Sequence, residues 1–265
     1  MLKRRIIPRL EVRSGRVVKG VHFKGLRDSG DPVEATRAYD RQGADEIVLL
    51  DISSTSEGRE TFLGVVARVA AQLFVPLTVG GGIRRDDDVR RLIEAGADKV
   101  AVNSAAVTSP LLIKRLSERW GSRCIVGAVD VRVMESQPGD AEPLYEVMIH
   151  GGTRSTGLDA VAWCDHLVEL GVGEIILNSI DRSAAKQGYD IWITQHVARR
   201  VGVPVIAGGG VASLEHLREG LAQGEGEADG ALAGSIFHFG LHSIAQAKRY
   251  LAAQGVPVRP PNQFA

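Results

Sequence analysis

A (β/α)8 barrel (TIM barrel) of the α/β class is the fold this sequence predicts, and three observations predict it. The first is alternation. Short β-branched or Leu-rich runs fall at 5–12, 46–51, 75–80, 99–103, 124–130, 174–178, 203–208 and 230–233. Amphipathic segments follow them at 31–43, 58–73, 85–95, 109–119, 158–170, 190–200, 213–223 and 241–254. Near-continuous apolar strands indicate a parallel sheet covered by helices, and eight such units close a barrel. A doubly wound sheet is the alternative, but its usual dinucleotide fingerprint is absent.

The second observation is an internal repeat. Glu46-Ile-Val-Leu-Leu-Asp51 matches Glu174-Ile-Ile-Leu-Asn-Ser179, and each follows a glycine turn at Gly43 or Gly171. Val75-Pro-Leu-Thr-Val-Gly-Gly-Gly-Ile83 matches Val203-Pro-Val-Ile-Ala-Gly-Gly-Gly-Val211, and both pairs are offset by 128 residues. A half-barrel present twice explains the shared offset. The third is length: 265 residues suit one barrel domain, with halves at about 1–120 and 121–250.

Composition narrows the function classes. Lys+Arg and Asp+Glu balance at 32 each, so no general affinity for nucleic acid or an anionic membrane is expected. The two cysteines, Cys124 and Cys164, form neither a disulfide framework nor a zinc pattern, and the histidines lack metal-ligand spacing. No cofactor or metal is expected. Neither a signal peptide nor a run of about 18 apolar residues is present, so a cytoplasmic protein is expected. Trp120, Trp163 and Trp192 are expected to pack on the barrel exterior.

Two segments break the rhythm. Residues 14–30 read as a long Gly- and Lys-containing loop after the first strand. Residues 131–157 read as a second insertion, with a hairpin over 142–150 and Gly139 near its turn. Both follow strand C-termini, the catalytic face of such barrels.

The duplicated glycine turns carry the strongest chemical signal. Glycines between a strand and a helix let backbone amides approach an anion. Each turn is followed by a strand that ends in a small polar cluster, Asn103-Ser104-Ala105 or Ala233-Gly234-Ser235. Gly82, Asn103 and Ser104 form one candidate phosphate site, and Gly209, Gly210 and Ser235 the other. A molecule held by both carries a phosphate at each end. Glu11 and Asp130 end the first and fifth strands, between those sites, and suit acid–base work on the middle of the ligand. At the opposite end, Arg5, Glu46, Lys99 and Glu174 start their strands with alternating charge, a pattern able to close the barrel floor as a salt-bridged ring.

The blocks RIIPRLEV, GRVVKG, LRDSGDPVE, TVGGGI, GADKVAVNSAAV, STGLDA, SIDR with GYD, and GVPVR together resemble the cyclase subunit of imidazole glycerol phosphate synthase, over about residues 2–258. The resemblance implies a barrel of two half-barrels that acts on the ribulosyl aminoimidazole carboxamide bisphosphate of histidine biosynthesis. It implies a glutaminase partner docked at the N-terminal face, with ammonia passing through the barrel. The implied products are imidazole glycerol phosphate and aminoimidazole carboxamide ribonucleotide. By the same resemblance, Asp130 matches one catalytic aspartate, and Lys19 matches the lysine of a mobile active-site loop. Gly82, Asn103 and Ser104 match one phosphate site, and Gly209, Gly210 and Ser235 the other. Arg5, Glu46, Lys99 and Glu174 match the charged ammonia gate.

The departures from that family pattern fall at the chemistry. Glu11 stands where the family has its other catalytic aspartate, and Arg9 where it has cysteine. Asn178, at a substrate-binding position, replaces threonine. Ser183-Ala184 replace Asp-Gly, and Gly208 replaces serine. Strand alternation points Arg9 and Glu11 to the same face, and a guanidinium there favours an ionised Glu11. An ion pair of Arg9 with Glu11 or Asp130 is expected. Two readings follow: an ammonia-using cyclase, or a paralogue with redirected or lost cyclase activity that binds a glutaminase and a different phosphorylated substrate.

Overall fold

The computed structural model describes residues 2–21, 24–52, 56–134 and 142–261. In chain order the first half contains β1 (Arg5–Arg13), β2 (Arg16–Val21), β3 (Lys24–Gly30), α1 (Pro32–Arg41), β4 (Ile47–Asp51), α2 (Ser56–Ala70), β5 (Leu77–Gly80), α3 (Asp86–Glu94), β6 (Lys99–Val102), α4 (Ser104–Thr108) and α5 (Pro110–Trp120). The second half contains β7 (Ile125–Val133), β8 (Tyr145–Ile149), β9 (Arg154–Asp159), α6 (Ala160–Glu169), β10 (Glu174–Ser179), α7 (Ile180–Ala185), α8 (Ile191–Arg200), β11 (Val205–Gly208), α9 (Leu214–Leu221), β12 (Gly230–Ala233), α10 (Ser235–His238) and α11 (Ile244–Ala253).

Eight parallel strands close on themselves in the order β1-β4-β5-β6-β7-β10-β11-β12 and back to β1. The predicted (β/α)8 barrel is therefore the observed fold. Strand alternation divides the apolar residues into two layers. Ile7, Val48, Ala101, Val126, Ile176, Ile206 and Leu232 fill the barrel interior. Their strand neighbours, such as Ile6, Ile47, Leu49, Ile175 and Val205, pack outward against the helices. Trp163 is buried in that outer layer, and Trp120 and Trp192 pack against it.

Local signals set the helix starts. Asp31 caps α1 by accepting from the N–H groups of Val33 and Glu34, ahead of Pro32 at the first helical position. Asp159 caps α6, and Ser243 forms a capping box with Gln246 at α11. A buried ion pair ties the last helix to the barrel: Lys248 Nζ donates to Asp45 at 2.8 Å, and the exposed Arg259 reaches the same carboxylate with Nε at 3.0 Å. The other Asp45 oxygen accepts from the Ile6 N–H at 2.8 Å.

The segment 14–30 differs from the expected loop. It folds as the antiparallel hairpin β2–β3, joined to the end of β1 through Glu11–Val18 and Val12–Val17. Its alternation is weak in sequence because Val17 and Val18, which are buried, are adjacent rather than two apart. The second insertion is also antiparallel: β7 runs on past the barrel rim, pairs with β8, and β8 pairs with β9. Gly139 lies outside the described residues. Both excursions rise from the same rim, one per half-barrel.

The repeat is visible in register and in dihedral angles. Glu11 is registered with Leu50, and Asp130 with Asn178, partners 128 residues apart. Gly81 and Gly209 each have φ +98°, and Gly82 and Gly210 have +62° and +85°. A Cβ on Gly81 would collide with the Asp51 carbonyl, and one on Gly209 with the equivalent Ser179 carbonyl. Only glycine fits both turns.

Candidate functional site

The floor of the barrel is a closed ring of four charges. Arg5 Nη1 lies 2.8 Å from Glu46 Oε2, and Arg5 Nη2 lies 2.6 Å from Glu174 Oε2. Lys99 Nζ completes the ring, 2.9 Å from Glu46 and 3.0 Å from Glu174. Thr78 donates its hydroxyl to the remaining Glu46 oxygen at 2.6 Å. Burial opposes the Arg5 charge, but Glu174 and Glu46 outweigh it and hold its pKa above the ordinary arginine value. Each glutamate touches both cations, so no charge in the ring is left uncompensated. The alternating charge seen in the sequence thus assembles as one structure.

At the other end, Asp130 sits in a cradle of two amides. Asn178 Nδ2 donates to its Oδ1 at 2.7 Å and Asn103 Nδ2 to its Oδ2 at 3.0 Å. Burial pushes the Asp130 pKa up, against the opposing pull of Asn178, Arg9 and Asn103. Asn178 Oδ1 is itself buried without a partner. Asn103 and Asn178, placed with the ligand by sequence, therefore also hold the carboxyl in position.

Arg9 Nη2 and Glu11 Oε1 meet at 3.1 Å, both mostly buried. The Arg9 backbone is held from behind. His238 donates from Nε2 to the Arg9 carbonyl at 3.1 Å, and Tyr39 O–H donates to His238 Nδ1 at 2.8 Å. These roles follow from the network, since a carbonyl can only accept. Sequence reasoning missed this buttress because His238 and Tyr39 lie 229 and 30 residues from Arg9, with no spacing signal.

The loop residues take their places around these carboxyls. Ser104 starts α4, donates to Asn103 Oδ1 at 3.2 Å, and accepts the His150 N–H at 3.0 Å, which ties the β8 end to the mouth. Ser235 starts α10. Asn103 and Gly234 precede these two short helices with matching backbones, φ −112°, ψ −94° and φ −117°, ψ −78°. Gly82 and Gly209–Gly210 occupy the turns after β5 and β11, on opposite sides of the mouth. Lys19 lies on β2, with its backbone registered to Arg27. Arg59, which the sequence did not single out, donates to Asp51 at 3.3 Å, to the Gly81 carbonyl at 2.7 Å and to the Gly82 carbonyl.

The arrangement brings two acids, two positive-φ glycine loops and two strand-end amides to the C-terminal mouth of a (β/α)8 barrel, over a closed ionic floor. That mouth is the end at which barrels of this fold carry their active sites. The sequence model of the histidine biosynthesis proteins matches residues 5–243, and the chain belongs to that family. Among the described residues, no helix is long and apolar enough to cross a membrane.

Proposed function

We propose that this protein is a cyclase of the imidazole glycerol phosphate synthase type, which uses ammonia from a glutaminase subunit to convert the ribulosyl aminoimidazole carboxamide bisphosphate into imidazole glycerol phosphate and aminoimidazole carboxamide ribonucleotide. The observation that carries this reading is the placement of Glu11 and Asp130 in equivalent registers, between duplicated glycine loops. One phosphate would rest on Gly82, Asn103 and Ser104, and the other on Gly209, Gly210 and Ser235. Asp130, kept protonated more readily by burial, would donate a proton. Glu11, ion-paired to Arg9, would accept one. Lys19 would bind the substrate from the β2–β3 hairpin.

The glutaminase would dock on the N-terminal face as the second half of a heterodimer, in the cytoplasm, around the Arg5–Glu46–Lys99–Glu174 ring. Above that ring the interior is apolar from Ile7 to Leu232. Such a lining passes neutral ammonia and rejects ammonium, whose desolvation is costly. No resident metal or cofactor enters this scheme.

The Arg9–Glu11 ion pair favours a second reading, a paralogue whose barrel still receives ammonia but acts on a different phosphorylated substrate. An added methylene displaces the Glu11 carboxyl by roughly an ångström, and shifts of that size cost about a hundredfold in rate. Turnover of the ribulosyl bisphosphate by the purified barrel with excess ammonium separates the two. Steady formation of both products supports the cyclase; binding without turnover supports the paralogue.

A further inference from the structure

We propose that Arg59 is a positioning residue for anion binding, which turns the first glycine loop toward the mouth of the barrel. This inference rests on reading the two glycine loops as phosphate sites. The Arg59 guanidinium is mostly buried and accepts no proton role; it is a fork of donors. It holds the carbonyls of Gly81 and Gly82 on one side of the loop. In a trans peptide the C=O and the following N–H point in opposite directions. Holding those two carbonyls therefore aims the N–H groups of Gly82 and Ile83 the other way. Among the described residues, neither of these N–H groups is donated to a protein acceptor. Two successive outward N–H groups are what an anion needs. The third contact, to Asp51, places the positive charge against a buried carboxylate next to the loop.

The second half-barrel supplies an internal comparison. There the Gly210 carbonyl, equivalent to that of Gly82, accepts from the backbone N–H of Gly188 at 3.0 Å. The next turn is also matched: Asp88 accepts the Arg84 N–H at 2.8 Å, and His216 Nδ1 accepts the Ala212 N–H at 3.2 Å. The same loop is thus oriented twice, by main chain in one half and by the Arg59 side chain in the other. A side-chain substitution can disable the first loop while leaving the second unchanged.

The test is titration of the whole chain with inorganic phosphate, followed by the amide resonances of 15N-labelled Gly82 and Ile83 in the first loop and of their equivalents Gly210 and Val211 in the second. In the wild type both loops respond. In Arg59→Gln the first loop loses at least about tenfold in phosphate affinity, the scale of one charge-assisted hydrogen bond, while the second loop keeps its dissociation constant. Arg59→Lys retains the charge but not the fork, so it fails to restore the first loop. Asp51→Asn with Arg59→Gln also removes the carboxylate charge that faces the guanidinium, and shows the same selective loss in a chain whose stability is protected. Unchanged affinity at the first loop in both glutamine variants, full rescue by lysine, or equal weakening of both loops overturns the role of Arg59. A wild type silent at both loops instead overturns the phosphate-site reading, and this inference falls with it.

Discussion

Arg9 and Glu11 point into the barrel from the same face of β1 and meet in an ion pair 3.1 Å long. The pair stands on the inward face of β1, where Arg9 also pulls on the Asp130 carboxyl, and the buttress of His238 and Tyr39 keeps the Arg9 backbone in place. A short carboxylate with a small neighbour would leave this space open; the observed pair fills it.

The double substitution Arg9→Cys with Glu11→Asp is therefore expected to raise ammonium-dependent cyclase turnover by about tenfold or more, equivalent to about 1.4 kcal/mol of barrier. Glu11→Asp alone gains less, since Arg9 still engages the acid. Steady-state rates for the wild type and both variants check this. A wild type as fast as the double variant would show that the ion pair does not restrain the chemistry.

Asp130 gives a pH-dependent stability. Its pKa is raised by burial, so the folded chain holds a proton that the unfolded chain has already released. Stability from this group is complete at low pH and declines as pH rises through the folded pKa. Asp130→Asn stays neutral throughout, and Asn178 can present its unpartnered Oδ1 to the new amide. The melting temperature of the variant, relative to wild type, is expected to climb between pH 4 and pH 8. A constant difference across that range would contradict the assignment.

The floor ring is expected to resist opening by a single change. Glu46→Gln leaves Arg5 and Lys99 sharing Glu174 alone, and breaking a buried pair in this way costs about 3–5 kcal/mol. Urea unfolding at neutral pH measures it. A loss below about 1 kcal/mol would place the ring among weak surface pairs.

Asp45→Ala tests the chain-end clamp. Lys248 is 1% exposed, and burial already lowers its pKa against the pull of Asp45. Without Asp45 the ammonium has no anion and the Ile6 N–H loses its acceptor, so a loss of about 3–5 kcal/mol is expected. The double variant Asp45→Ala with Lys248→Met should recover part of it, because no buried charge then remains unpaired.

Much of the fold was legible because barrel strands buried on both faces read as continuous apolar runs, and because the triple-glycine turns repeat. The ring was legible for a related reason: Arg5, Glu46, Lys99 and Glu174 each interrupt an apolar run at the same depth. The β2–β3 hairpin was not, since its pairing carries register shifts between Val17 and Val18 and between Lys19 and Val21 that blur the alternation. The Asp130 cradle was half legible. Asn103 and Asn178 stood out as strand-end polar residues, but only closure of the barrel brings them to one carboxyl, 27 and 48 residues away. The Arg59 contact runs from a helix to a loop 22 residues later, a distance no local pattern records.

One molecule with a phosphate at each end is expected to span the mouth above Glu11 and Asp130. A crystal structure with the ribulosyl bisphosphate bound tests this most directly. One phosphate is expected on Gly82, Asn103 and Ser104 and the other on Gly209, Gly210 and Ser235, with the ligand's middle between the two carboxyls. A ligand anchored at one loop only, or seated away from both, would contradict it.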